Sequence, residues 1–77
     1  MDEKYIKDKL EASIPETTAE VSGDGTHFDA VIVSSAFEGK STLERHKMVY
    51  SVLEDDMVED IHALSVKTFS PRESNRR

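Results

Sequence analysis

The chain contains three histidines and no cysteine, so a metal site built from its own side chains must use imidazole or carboxylate groups. His27 stands at the start of an alternating apolar run that ends at Val33, and His62 stands at the start of a second run that ends at Phe69. A helical pattern separates the two runs, which predicts neighbouring parallel strands joined by a helical crossover. Parallel strands begin at the same edge of a sheet. We therefore expect His27 and His62 to lie on one edge, although they are distant in sequence.

Two imidazoles make an incomplete ligand set for a metal ion. A structural zinc site is tetrahedral, and with these two ligands alone it would be half empty. Any thiolate ligand would have to come from another molecule, because the chain has no thiol. The alternative for His27, which follows the small polar loop GDGT, is an exposed loop histidine without a metal role.

The crossover segment, residues 37–50, has the sequence FEGKSTLERHKMVY. Ser41 and Glu44 match the S-x-x-E capping box, which predicts that a helix starts at Ser41. Gly39-Lys40-Ser41 is not part of a phosphate-binding loop, because Ser34 stands where the motif requires its first glycine.

The third histidine, His46, falls on or beside the predicted buried stripe of this helix. A histidine there is typically a hydrogen-bonded core or interface residue, with a ligand role as the alternative. We interpret Arg45 and Lys47 as flanking it toward solvent. Together with Lys40, these three residues form a candidate contact surface for a partner or for nucleic acid.

Periodicity and turn signals divide the remaining chain into short elements. They predict an αββααβ order, with one small mixed sheet covered by helices on at least one face. Besides the strand from His27 to Val33 and the helix that starts at Ser41, the predicted elements are a helix over 2–14 and a strand over 17–22. A second, short helix of the crossover over 54–60, a last strand over 61–69 and a mobile tail over 70–77 complete the chain.

The 77 residues fit a single domain of α/β class, with 36% hydrophobic and 34% charged residues. The longest strictly apolar run, residues 30–33, is far below the ~20 residues of a membrane span. The charged N-terminus lacks the apolar region of a secretory signal, which favours a cytoplasmic location. The net charge of −6 opposes general attraction to nucleic acid, and we interpret the five acids of residues 54–60 as a solvated face.

Two segments together resemble the BolA-like family: FEGKSTLERHKMVYSVL, residues 37–53, and IHALSVKTFSP, residues 61–71. The Phe-x-Gly-x-Ser turn, the Arg-His pair, the Val-Tyr pair and the Ile-His-Ala-Leu motif occur in the family's order and spacing. The family fold is αββααβ, similar to the type II KH arrangement, which agrees with the elements predicted above.

The resemblance implies a non-enzymatic partner of a monothiol glutaredoxin, connected with iron–sulfur cluster trafficking and iron homeostasis. His62 matches the family's cluster ligand, and His27 fills the position of its second ligand in the loop between the first two strands. The remaining ligands of a shared [2Fe–2S] cluster would be the glutaredoxin cysteine and glutathione, with histidine replacing cysteine as in Rieske centres. Alone, the chain is expected to be a monomer or weak homodimer without a cluster. Ligand histidines must be neutral, so assembly should weaken below about pH 6.5.

Some BolA-like proteins are described as DNA-binding transcriptional regulators, which gives the alternative function. A KH domain clamps nucleic acid with a G-x-x-G loop, and this chain has no such motif. An enzyme is disfavoured because the chain lacks a thiol nucleophile, an H-E-x-x-H motif and a supported Ser-His-Asp arrangement.

Overall fold

The computed structural model describes residues 2–25, 27–59 and 63–75. The elements follow the order predicted from the sequence, with a short 3₁₀ turn at Ser35–Phe37 and a fourth helix added. Their bounds are α1 Glu3–Ser13, β1 Thr17–Gly23, β2 His27–Ser34, α2 Thr42–Val52, α3 Glu54–Glu59, β3 Ala63–Phe69 and α4 Pro71–Ser74.

The first helix starts at a capping residue and buries an apolar stripe. Asp2 accepts a hydrogen bond from the backbone N–H of Lys4 at 3.0 Å and so caps the N-terminus of α1. Ile6, Leu10 and Ile14, spaced four residues apart, are all buried, as the sequence pattern predicts. The backbone leaves the helix at Ile14, which is extended before Pro15.

The sheet has the order β1-β2-β3, with β2 in the centre. β1 and β2 form an antiparallel hairpin, whereas β2 and β3 are parallel. The predicted helical crossover between parallel strands is therefore confirmed, and it consists of α2 and α3.

One face of this mixed sheet packs against α1 and the crossover helices. Phe28, Ala30 and Ile32 of β2 are buried in one core with Val49 and Leu53 of the crossover. The opposite face carries exposed residues such as Glu20, Asp29 and Lys67. The layer of helices on one face confirms the predicted mixed α/β class.

The crossover helix starts where the capping box predicts. Ser41 accepts a hydrogen bond from the backbone N–H of Glu44 at 3.2 Å, and Glu44 accepts one from the backbone N–H of Ser41 at 3.1 Å. Within the described residues, no helix combines the length and the apolar character needed to cross a membrane.

The acidic segment is not a solvated face throughout. Asp56 of α3 is only 9% exposed, and it accepts hydrogen bonds from Tyr5 at 2.9 Å and from Lys9 at 2.7 Å. One of the five acids therefore docks α3 onto α1, because two α1 side chains satisfy the buried carboxylate.

The predicted mobile tail over residues 70–77 is wrong for its described part. Ser70 is buried and forms a second capping box with Glu73, with Pro71 at the first position of α4. The segment is held because Glu73 also accepts two hydrogen bonds from Arg45 of α2. Residues 76 and 77 lie outside the described residues.

Candidate functional site

His27 begins the central strand, where the alternating pattern places it. Its side chain is 65% exposed, and its Cα is paired with that of Ala63 at the start of β3. Ala63 directly follows His62 in the sequence. His62 itself lies outside the described residues, so the juxtaposition of the two histidines stays a prediction.

A tight loop carries His27 into the strand. The backbone N–H of Asp24 donates to the carbonyl oxygen of His27 at 3.1 Å, and the backbone N–H of His27 donates to Oδ1 of Asp24 at 2.8 Å. Gly25 has a φ of 104°, in the left-handed region that favours glycine. A methyl group at Gly23 would collide with the His27 carbonyl and lie 2.6 Å from the ring of Phe28. Gly23 therefore permits a close approach that a side chain would prevent, and Gly25 permits the left-handed backbone of the loop.

The imidazole of His27 lies beside a carboxylate. Oδ2 of Asp24 is 3.5 Å from Nδ1 of His27, and the Asp24 side chain is 68% exposed. Such a contact contributes little stability in water. Its relevance is chemical, because a carboxylate next to one ring nitrogen affects which nitrogen carries the proton.

The donor set of the described residues is small. Residues 2–25, 27–59 and 63–75 contain no group of three or more histidines, cysteines, aspartates or glutamates arranged to hold a metal ion. The chain has no thiol, so the group that His27 offers to a metal is an imidazole, and any thiolate ligand would have to come from another molecule. This donor set fits a site that is completed by a partner, and it does not fit a closed site within the described part of the chain.

His46 packs against a neighbouring aromatic ring of the same helix. It is half-buried in α2, and its ring meets the Tyr50 ring edge-on at a centroid distance of 6.4 Å. The Tyr50 hydroxyl donates to the carbonyl oxygen of Leu64 at 3.0 Å. This hydrogen bond joins the second half of α2 to β3.

The predicted contact surface of Lys40, Arg45, His46 and Lys47 needs one correction. Arg45 does not flank His46 toward solvent, because it is only 8% exposed. Its guanidinium donates to the carbonyl oxygens of Lys40 at 2.9 Å and Thr68 at 3.4 Å, and it also pairs with Glu73. A planar group with five donors is suited to such a site.

Lys40 and Lys47 are exposed, as expected. Glu44 lies between them in sequence, and its pKa is lowered by hydrogen bonds from Ser41 and also by the charges of both lysines. The surface at the start of α2 therefore carries mixed charge, and the loss of Arg45 from it leaves two lysines and the half-buried His46.

The opposite sheet face contains a cavity of about 280 Å³, lined by Thr18, Glu20, Val31, Val33 and Ser74. It lies toward the carboxyl end of β2, whereas His27 begins that strand. The sequence analysis did not predict this cavity, because Ser74 was assigned to the tail.

Comparisons with known proteins agree with this architecture. A family model described as BolA-like protein matches residues 6–73. A solved BolA homologue from Coxiella burnetii superposes with a TM-score of 0.89 at 42% identity, covering 99% of each chain. The BolA domain of SufE1 from Arabidopsis thaliana superposes with a TM-score of 0.82 at 38% identity, covering 91% of this chain and 92% of that domain.

Curated relatives extend beyond the matched region. BolA-like protein 1 of mouse is 33% identical over 90% of this chain, which spans 58% of that protein. The Escherichia coli protein named DNA-binding transcriptional regulator BolA is 33% identical over 88% of this chain, which spans 74% of it. SufE-like protein 1 of Arabidopsis thaliana is 46% identical over 62% of this chain, which spans 13% of that protein.

Proposed function

The chain belongs to the BolA-like family, and from this membership we propose that it is a non-enzymatic adaptor that binds a monothiol glutaredoxin. In this proposal the two proteins share a [2Fe–2S] cluster, which is the cargo of the pair. His27 and His62 supply the imidazole ligands of this chain. The glutaredoxin cysteine and its glutathione supply the thiolates.

The observation that carries the proposal is the placement of His27. It is exposed, it starts the central strand, and it is paired with Ala63, which directly follows His62 in the sequence. The absence of cysteine supports a shared site, because imidazoles can replace two of the four thiolate ligands of a [2Fe–2S] cluster and the other two must come from outside. A coordination shell divided between two proteins opens when they separate, which suits transfer of the cluster.

Spectroscopy of the mixed proteins tests this proposal. The chain is combined with a monothiol glutaredoxin, glutathione, iron and sulfide, and the absorbance and circular dichroism are compared with those of the glutaredoxin homodimer. Replacing two thiolates by imidazoles should change both spectra. Spectra identical to those of the homodimer would refute the shared site.

A backbone NMR titration with the cluster-free glutaredoxin separates docking from ligation. We expect the amide signals of the His27 loop, residues 23–27, to shift, because the edge that carries the ligands must face the partner. Signals of the outer face of α1, such as those of Lys4 and Asp8, should stay in place. Shifts confined to α1 would contradict this docking surface.

DNA binding is the second candidate, favoured by the name of the Escherichia coli relative. Lys40 and Lys47 are exposed and could contact phosphates. The net charge of −6 and the burial of Arg45 reduce the basic surface that such binding requires. A titration with duplex DNA at several salt concentrations tests it: steeply salt-dependent binding would support this function, and no binding at low salt would exclude it.

A further inference from the structure

Asp24 contacts His27 with both oxygens of one carboxylate. Oδ1 accepts the backbone N–H of His27 at 2.8 Å, while Oδ2 lies 3.5 Å from the ring atom Nδ1. The backbone N–H of Asp24 closes the loop by donating to the His27 carbonyl at 3.1 Å. The same two residues are thus linked through the main chain and through the ring.

The main-chain bonds keep the carboxylate near the ring. Because Oδ1 accepts the His27 backbone N–H, the Asp24 carboxylate stays beside the residue that carries the ring. The 3.5 Å separation is longer than a charge-assisted hydrogen bond, so the bond requires the imidazole to turn toward Oδ2. Gly23 and Gly25 let the loop close tightly enough for this arrangement.

The carboxylate has a chemical consequence for the neutral ring. An ionised carboxylate only accepts hydrogen bonds, so it favours the imidazole tautomer that carries its hydrogen on Nδ1. That tautomer has its lone pair on Nε2. Histidine ligands of metals are commonly oriented in this way, by a carboxylate or carbonyl oxygen that accepts the other ring N–H.

From this geometry we infer that Asp24 is the positioning residue of the candidate site. Its carboxylate selects the Nδ1–H tautomer of His27 and orients the ring so that Nε2 is the coordinating atom. The role toward a cluster rests on the proposed function, whereas the selection of the tautomer rests on the hairpin alone.

The tautomer is measured on the isolated chain, without any cluster. Long-range ¹H–¹⁵N correlation spectra of the His27 ring are recorded at about pH 8, above the ordinary histidine pKa of about 6.5. In Asp24→Asn the amide oxygen still accepts the His27 backbone N–H, but the amide nitrogen donates to Nδ1 and favours the Nε2–H tautomer. We expect the ring ¹⁵N shifts of Asp24→Asn to move toward the Nε2–H pattern.

Asp29→Asn is the matched control. Asp29 is an exposed acid two residues beyond His27 on the same face of β2. Its substitution removes an equal charge near the ring but keeps Asp24, so the tautomer should match that of the original chain. Equal tautomer populations in the original chain and in Asp24→Asn would overturn the inference.

The role toward the cluster is measured with the glutaredoxin complex. Loss of a group that orients a metal ligand typically lowers metal affinity 10- to 100-fold, and the exposure of Asp24 favours the lower end. We expect the cluster in the Asp24→Asn complex to be lost to a chelator about 10-fold faster, with Asp29→Asn unchanged. The reduced cluster is then examined by pulsed EPR with ¹⁵N placed only at Nε2 of His27. The strong hyperfine coupling to the cluster should come from this labelled atom.

The outcomes separate this inference from the proposed function. Coordination through Nδ1, or an unchanged rate of cluster loss in Asp24→Asn, would overturn the positioning role toward the cluster. If the original chain forms no shared cluster, the proposed function fails together with that role. A tautomer difference between the original chain and Asp24→Asn would still establish that Asp24 orients His27.

Discussion

Arg45 and Glu73 form a bidentate ion pair, with Nη1 to Oε1 at 2.6 Å and Nη2 to Oε2 at 3.1 Å. Arg45 belongs to the first half of α2, and Glu73 belongs to the short helix after β3. The same guanidinium donates to the carbonyl oxygens of Lys40 and Thr68. One side chain therefore holds the turn before α2, the end of β3 and α4 together.

Arg45→Ala is expected to lower the free energy of unfolding by about 2 kcal/mol. Removing one partner of a buried ion pair costs about 3–5 kcal/mol, but Glu73 is half exposed and can regain water. Arg45→Lys should recover only part of the loss, because an ammonium cannot make two parallel bonds to the carboxylate. Urea unfolding followed by circular dichroism measures the difference.

The matched control is Lys47→Ala, on the same helix and exposed. Its stability should stay within about 0.5 kcal/mol of the original chain. If Arg45→Ala proved as stable as this control, the pairing with Glu73 would not hold α4 in place.

Acid should weaken the attachment of α4 within a defined pH range. The hydrogen bonds from Arg45, followed by those from Ser70, lower the pKa of Glu73 from 4.5 to about 2. Because the folded-state pKa lies below the unfolded value, this group stabilises the fold fully above pH 4.5 and loses its contribution as the pH falls through about 2. Thermal unfolding of the original chain and of Glu73→Gln measures this: the gap in Tm should be constant above pH 4.5 and should close toward pH 2. A gap independent of pH would contradict the linkage.

Local signals account for the parts of the fold that the sequence predicts well. The spacing of Ile6, Leu10 and Ile14 and the capping box at Ser41 each depend on residues within a few positions of one another. The crossover topology also follows, because two parallel runs separated by a helix have one favoured connection.

Long-range pairing explains what the sequence analysis missed. The burial of Arg45 depends on Glu73, 28 residues later, and helix periodicity does not specify that partner. The S-x-x-E pattern of Ser70 and Glu73 was present, with Pro71 at the first helical position, and it could have predicted α4. Asp56 looks like its four acidic neighbours in sequence, and its contacts with Tyr5 and Lys9 do not follow from its residue type.

The candidate site, like the fold, is predicted by the sequence only in part. The alternation after the GDG turn predicts that His27 begins a strand. The contact between Asp24 and the imidazole depends on how the loop closes, which residue types alone do not determine. The prediction that His62 lies on the same edge stays open, because residues 60–62 are outside the described part of the chain.

Asp56→Ala should destabilise the contact between α1 and α3. Asp56 is nearly buried, its pKa is lowered chiefly by the hydrogen bond from Lys9, and it also accepts one from Tyr5. Loss of the carboxylate leaves both donors without this acceptor, which should cost about 1–3 kcal/mol. Asp55→Ala, an exposed neighbour in the same helix, is the control and should change stability by less than about 0.5 kcal/mol. Equal unfolding midpoints for the two variants would show that the buried cluster contributes no net stability.

The two proposed ligands should respond differently to substitution in the glutaredoxin complex. His62→Ala is expected to abolish the altered absorbance and circular dichroism. His27→Ala should loosen the cluster, yet the cluster-free binding of the glutaredoxin should stay measurable by NMR. The His27 side chain is 65% exposed, so its loss should change the free energy of unfolding by less than about 0.5 kcal/mol.

His46→Phe provides the matched control for these two variants. It removes an imidazole from the same chain but keeps an aromatic ring against Tyr50. The cluster spectrum of this variant should equal that of the original complex, because the spectrum reports the ligands of the iron, and His46, a candidate partner contact, is not a proposed ligand. An unchanged spectrum in His27→Ala would remove His27 from the site, and a spectrum lost in all three variants would point to a general disturbance of docking. Only loss that is specific to His27 and His62 supports ligation by this edge of the sheet.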